Sequence, residues 1–169
     1  EVDPVSQLVP MGNSLARRFL ENISDGHTRL TFLKLGALLH DIAKPQTKVV
    51  TKDGKTRFLN HQTLGAKMSR DILQRLRLGN RGQENVCALV QNHLRPGQMS
   101  HNGEYPTPRA IYRFFKDIGD TAVDVLYLNL ADHLAARGPD LDQTAWEWHS
   151  AMVGYVLRFG LNDGGSSNM

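Results

Sequence analysis

The stretch LGALLHDIAKP, residues 35–45, constrains the chain more than any other. It begins as an apolar run in which Leu35, Leu38, Leu39 and Ile42 recur at helical spacing, so it belongs to a core helix. His40 and Asp41 then stand side by side, Lys44 follows, and Pro45 stops the helix. Buried charge is costly unless paired or bound to metal, so a core helix carries such groups only with partners. Gly36 and Ala37 keep the surface beside the pair small, which lets a second helix approach. Lys44 lies four residues after His40 and three after Asp41, hence on the same side. An ammonium beside a metal cation is repelled unless an anion lies between them, and phosphate is the simplest such anion. The stretch predicts a metal site on a helix with a lysine placed for phosphate.

The remaining chain reads as helices too. A first helix lies within residues 1–22, with Leu15, Phe19 and Leu20 on its apolar side and Arg17 and Arg18 solvated. Ser24-Asp25-Gly26 is a turn, and the central helix covers residues 28–43. Asp53-Gly54 between two β-prone runs predicts one small hairpin, a connector or a lid. A long helix over residues 61–78 follows, with Asn60 as N-cap, an inner stripe of Leu64, Met68, Ile72 and Leu76, and an end at residues 79–82. Lys67, Arg70, Arg75 and Arg77 occupy its other faces. Further helices are predicted over residues 84–94, after Thr107-Pro108 as far as Gly119, over the apolar run AVDVLYLNLADHLAARG, and over residues 141–159. The expected fold is all-α, one domain over residues 1–160, with residues 161–169 as a disordered tail.

Partners for His40 and Asp41 must come from other helices. His93 continues the stripe Val86, Leu89, Val90 and so faces inward. His61 opens its helix, with Gly65 one turn on. Asp132 shares one side of the most apolar helix with Ala122, Val125 and Asn129, where a carboxylate needs a cation or strong donors. Each alone has a plainer reading: a hydrogen-bonded core histidine, a surface N-terminal residue, or a pair with Arg137. Taken together they suit a divalent metal, drawn from Mg, Mn, Fe, Co, Ni and Zn, and do not suit calcium well. His101, His133 and His149 read as ordinary polar positions, with His133 the rival to Asp132 from a different azimuth, and Cys87 reads as inert core.

LLHDIAKP resembles the signature of HD-domain metal-dependent phosphohydrolases. FLNHQTLGA, VQNHLRP, PRAIYRFFKDIGD and LADHLAARG are similar to segments of the HD region attached to bacterial tRNA nucleotidyltransferases (CCA-adding enzymes) and poly(A) polymerase-like proteins. The resemblance implies an HD-domain helical bundle with His40, Asp41, His61, His93 and Asp132 as ligands of one or two divalent ions. Asp41 would be the bridge and a catalytic residue, and Lys44 would contact the phosphoryl group. It implies hydrolysis of phosphomonoesters or phosphodiesters, on nucleotides or RNA ends such as 2′,3′-cyclic phosphates. Two departures stand out. HD enzymes draw a further histidine from an earlier helix, whereas the first helix here has none and His27 sits in a turn close to His40. No Gly-Gly-X-Val-Arg-Asp-like loop marks a nucleotidyltransferase head. The missing histidine and the abrupt start of the chain favour the alternative, a catalytically weak or inactive module serving a tRNA nucleotidyltransferase-like protein as scaffold or RNA-binding body.

Charge supports a polyanionic partner modestly. Net charge is +3, but Arg109, Arg113 and Lys116 fall on one stripe beside Tyr112, and Arg95 follows His93 closely enough to reach the mouth of a site there. These arginines are candidate substrate-binding residues, with tRNA a possible partner. Phe114, Phe115, Trp146 and Trp148 read as core. A single cysteine excludes an internal disulfide and fits a cytoplasmic protein. No apolar run approaches the roughly 20 residues that span a membrane. The opening EVDPVSQLVP, without an initiator methionine, reads as a piece of a longer protein or as a chain lacking its native start, and the resemblance implies a nucleotidyltransferase head as a partner domain in a full-length protein.

Overall fold

The computed structural model describes residues 9–163. In chain order the elements are α1 (Gly12–Phe19), β1 (Asn22–Ser24), β2 (His27–Thr28), α2 (Arg29–Leu39), α3 (Lys44–Thr47), β3 (Lys48–Val50) and β4 (Thr56–Phe58). There follow α4 (His61–Arg75), α5 (Asn80–Asn92), α6 (Arg95–Gln98), α7 (Pro108–Ile118), α8 (Ala122–Ala135) and α9 (Gln143–Asp163). The fold is helical, as the apolar periodicity predicts. β3 and β4 form the expected antiparallel hairpin, and β1 pairs with β2 around the Asp25-Gly26 turn. The chain divides into two compact units, one of them Phe19–His93 and the other made of the residues before and after it. The parts of the first predicted helix and of the predicted tail in residues 1–8 and 164–169 lie outside the described residues, while residues 161–163 continue α9.

In the unit Phe19–His93, α5 packs against both α2 and α4. Ile23, Phe32, Leu39, Leu73, Val86 and Val90 form the buried cluster, with Leu35, Ile42 and Ile72 against it. Each such side chain fully withdrawn from water contributes about 1.5–3 kcal/mol. The approach that Gly36 permits is real: a Cβ there would lie 2.7 Å from Leu89 Cδ1. Several details differ from the sequence reading. The buried face of α2 is Phe32, Gly36 and Leu39, so Leu38, one position off it, is 77% exposed. The buried stripe of α4 is His61, Gly65, Ser69 and Leu73, rotated one position from the predicted one, and Leu76 is exposed. Where two helices come closest, small side chains decide the face, and larger apolar ones flank it. Asn60 does not cap α4 through its side chain; it takes a left-handed φ of 56°, which Asn tolerates, and turns the chain from β4 into the helix. α4 ends at Arg75, with Arg77 left-handed and the Leu78 amide donating to the Leu73 carbonyl, and Gly79 is the N-cap of α5. Pro45 opens the short α3 and does not merely stop α2.

In the other unit, Ala122, Val125, Leu126, Leu128 and Leu130 bury α8 on most sides, as its composition predicts. α9 packs on α7 and α8. Thr107 caps α7 by accepting from the Ala110 amide, and Gly119 ends it at φ 66°. α1 corrects the reading of its neighbours. Leu20 is 68% exposed, and Arg18 is not solvated: its guanidinium pairs with Asp120 and lies 3.7 Å from the buried Asp124. Among the described residues no helix is long and apolar enough to cross a membrane.

Candidate metal centre

α2 ends at Leu39, and residues 40–43 continue it as a tighter turn. The amides of Ile42 and Lys44 donate to carbonyls three residues back, at 3.1 and 2.9 Å. His40 and Asp41 therefore stand at the mouth of a helix end. Ala43 is fully buried beneath them. Gly65 faces the turn and makes room for α5, since a Cβ there would meet Ala43 Cβ and the His40 carbonyl at an ordinary 3.7 Å but lie 3.1 Å from Val90 Cγ1. His61 is the first residue of α4 and His93 the first after α5; both are buried.

Three imidazoles are held in the same way. His40 Nδ1 is 2.8 Å from the Ala37 carbonyl, His61 Nδ1 3.0 Å from that of Phe58, and His93 Nδ1 2.7 Å from that of Val90. A carbonyl only accepts, so each Nδ1 carries a proton and donates, which leaves Nε2 as the atom each ring can offer to a ligand. Those atoms converge on one carboxylate. His40 Nε2 is 3.3 Å from Asp41 Oδ2, while His61 and His93 Nε2 are 3.4 and 3.8 Å from Asp41 Oδ1. His61 and His93 Nε2 are 3.2 Å apart. Lys44 Nζ donates to Asp41 Oδ2 at 2.6 Å and lies 5.4 Å from the centre of the Phe58 ring. Asp41 Oδ1 accepts no hydrogen bond among the described residues.

The residues present fit a divalent ion. Asp41, His61 and His93 each offer one donor atom within 4.8 Å of the others. Metal–ligand bonds of about 2.1 Å separate neighbouring donors by roughly 3.0–3.4 Å in octahedral or tetrahedral arrangements. The measured spacings of 3.2–3.8 Å lie near that range. Holding each ring through its far nitrogen orients the ligand atom and raises its basicity. Burial lowers the His93 pKa, helped by His40 and His61 and opposed by its bond to Val90 and by Asp41. A lowered pKa favours the neutral ring that a metal ligand must be.

The other sequence candidates lie in the second unit. Asp132 stands in the last turn of α8, half-buried, with Asn129 on the same side. The deepest carboxylate of that helix is Asp124, which sequence reasoning missed and which faces Arg18. Arg95 is engaged by Asp117 at 3.0 Å and lies over the Phe114 ring. Arg109 and Arg113 are exposed along α7, as their spacing predicts. His149 is not an ordinary polar position: it is buried and stacks on His133 with ring centres 4.2 Å apart. The backbone carbonyls that orient the imidazoles were also missed, although each lies three residues before its histidine and that interval was available in the sequence.

A helical domain whose His-Asp turn is joined by histidines from two further helices defines a class, and the comparisons agree with it. The HD domain family matches residues 13–137, and the chain belongs to that family. It is 37% identical over 68% of its length to a CC-adding tRNA nucleotidyltransferase of Thermus thermophilus. It is 35% identical over 63% of its length to an A-adding tRNA nucleotidyltransferase of Deinococcus radiodurans. A bifunctional uridylyltransferase/uridylyl-removing enzyme of Pseudomonas putida is 26% identical over 89% of the chain. The chain spans 24%, 23% and 14% of these relatives respectively, thus no more than about a quarter of any of them.

Proposed function

We propose that this HD domain is a divalent-metal-dependent phosphohydrolase acting on nucleotides or RNA ends, 2′,3′-cyclic phosphates among them. One observation carries the reading: two buried imidazoles bring their Nε2 atoms to 3.2 Å from each other beside a carboxylate oxygen. Such an arrangement is repulsive without a proton or a cation between the atoms. His40, Asp41, His61 and His93 would hold the ion, with Asp132 as the further ligand on the sequence pattern. A divalent ion supplies charge that makes water nucleophilic near neutral pH and polarises phosphoryl oxygens. The three Nδ1–carbonyl bonds keep the rings from rotating away when substrate enters. Asp41 sets the geometry by presenting both oxygens to different partners. Lys44, already 2.6 Å from Asp41, offers its remaining N–H groups to a phosphoryl oxygen and balances its charge. Arg95, Arg109 and Arg113 are the proposed substrate-binding residues.

Bis-p-nitrophenyl phosphate, 2′,3′-cyclic nucleotides and nucleoside monophosphates, offered with Mn, Ni, Mg or Zn, test the activity. Turnover that vanishes in Asp41→Asn supports it. Protein that binds metal stoichiometrically yet turns over none of these substrates would sink the catalytic reading.

A second reading is favoured by the tRNA nucleotidyltransferase relatives and by α1, which carries no histidine. In it the domain is a scaffold or RNA-binding body beside a nucleotidyltransferase head in a longer protein. It predicts tRNA binding without turnover.

A further inference from the structure

We infer that the exposed face of α7 is a track for a single-stranded polynucleotide, with Tyr112 as the platform on which a base stacks. This deepens the substrate-binding role given above to Arg109 and Arg113 and rests on that part of the reading alone, since none of the proposed metal ligands takes part. Arg109, Tyr112, Arg113 and Lys116 occupy one side of the helix, and all four are exposed. The paired arginines elsewhere give the contrast. Arg18 meets Asp120 and Asp124, Arg29 meets Glu21, and Arg95 meets Asp117. Among the described residues, Arg109, Arg113 and Lys116 form no ion pair. Asp117, the carboxylate that lines a groove with them, is engaged by Arg95, so the three neighbouring cations repel one another and a polyanion relieves that repulsion.

The shape of the surface narrows the polyanion. Arg109, Tyr112, Arg113, Lys116 and Asp117 line a groove of about 520 Å³. Arg113 also lines an adjoining groove of about 390 Å³ that contains Tyr105. Arg113 thus lines two grooves, each with a tyrosine: Tyr112 is 60% exposed, and Tyr105, which packs on Trp148 and Tyr155, is 41% exposed. The helical rise places the Arg109 and Arg113 backbones about 6 Å apart and Lys116 roughly 10 Å from Arg109. That spacing suits successive phosphates of an extended strand. Lys116 Nζ lies 5.8 Å from the centre of the Tyr112 ring, so base and phosphate would be met by neighbouring groups. Lipid headgroups and sulfated sugars supply the anions without the π-faces that exposed tyrosines would use, whereas every base has one.

Fluorescence anisotropy on the whole chain in EDTA tests the inference, with labelled RNA and DNA strands of the same mixed sequence and a heparin oligosaccharide. Binding of either strand should weaken steeply with salt, and Arg113→Gln should reduce the slope of log affinity on log salt by about 0.7. Tyr112→Ala should lower affinity roughly 5- to 150-fold with little change in slope, and Tyr112→Trp should restore it. The tighter of the two strands names the sugar. The inference is overturned if neither strand binds, or if both variants bind as wild type. It is also overturned if heparin binds as tightly as the strands while Tyr112→Ala changes nothing, since the face would then be a plain anion sink. Circular dichroism of each variant confirms folding; these positions are exposed and tolerate substitution.

Discussion

The Nε2 atoms of His61 and His93 stand 3.2 Å apart although 32 residues separate them in the chain. Their far nitrogens are both committed to backbone carbonyls, so neither ring can turn to relieve the contact. A cation is the natural relief, and binding it should stabilise the fold. At free metal about 100 times the dissociation constant, the gain is about 2.7 kcal/mol. For a chain of this size that is a rise of roughly 5–10 °C in Tm. Differential scanning fluorimetry with Mn or Ni should show it in the wild type and not in His61→Ala. A variant that gains as much as the wild type would remove His61 from the site.

Gly36 sits one turn before the His-Asp pair, where α5 crosses α2. Replacing it with Ala would put a methyl 2.7 Å from Leu89 Cδ1 and 3.0 Å from Leu89 Cβ. The tip of Leu89 can move but its Cβ is fixed to the helix, so the helices must separate. Gly36→Ala should cost about 1–3 kcal/mol by urea unfolding. Gly97→Ala is the control, because nothing lies within 4 Å of the added carbon. Equal stabilities of the two variants would mean that the α2–α5 contact yields freely.

These residues mark what the sequence makes legible. The inward face of His93 follows from the apolar stripe of Val86, Leu89 and Val90 that it continues, while His40 is marked by the adjacent Asp41 and His61 by Gly65 one turn on. Gly36 and Gly65 announce close approach by their size. The stripe of α4 was misread because hydrophobicity alone favours Leu64 and Met68 over Gly65 and Ser69, whereas the approach of a neighbouring helix reverses that order. Nor could local pattern find that Arg18 reaches Asp120, a partner 102 residues away. Leu38 shows the same limit, since an apolar helix with leucines on several sides does not say which one stays outside.

Arg18 supports a carboxylate that has almost no access to water: the Asp124 side chain is 1% exposed. Arg17, next to it, is exposed. Removing the guanidinium leaves a buried charge with weaker compensation, so Arg18→Met should cost about 3 kcal/mol. Arg17→Met should stay within about 0.5 kcal/mol of the wild type. Urea midpoints separate them, and equal midpoints would show that Asp124 is sustained by its other contacts.

His149 gives the fold a dependence on acid. Burial, then the neighbouring His133 and Arg137, push its pKa down to about 4 from the ordinary 6.5. The unfolded chain takes up a proton on this ring as pH falls through about 6.5, while the folded chain resists until about pH 4. Stability is therefore whole above the upper value and lost progressively below it, by at most about 1.4 kcal/mol per pH unit from this group. Urea unfolding in EDTA at about pH 7 and about pH 5 measures the loss. His149→Leu removes the titrating ring, so its stability should fall less between the two conditions than that of the wild type. Parallel losses in both proteins would transfer the acid sensitivity to His133 or His93, whose pKa values burial also lowers.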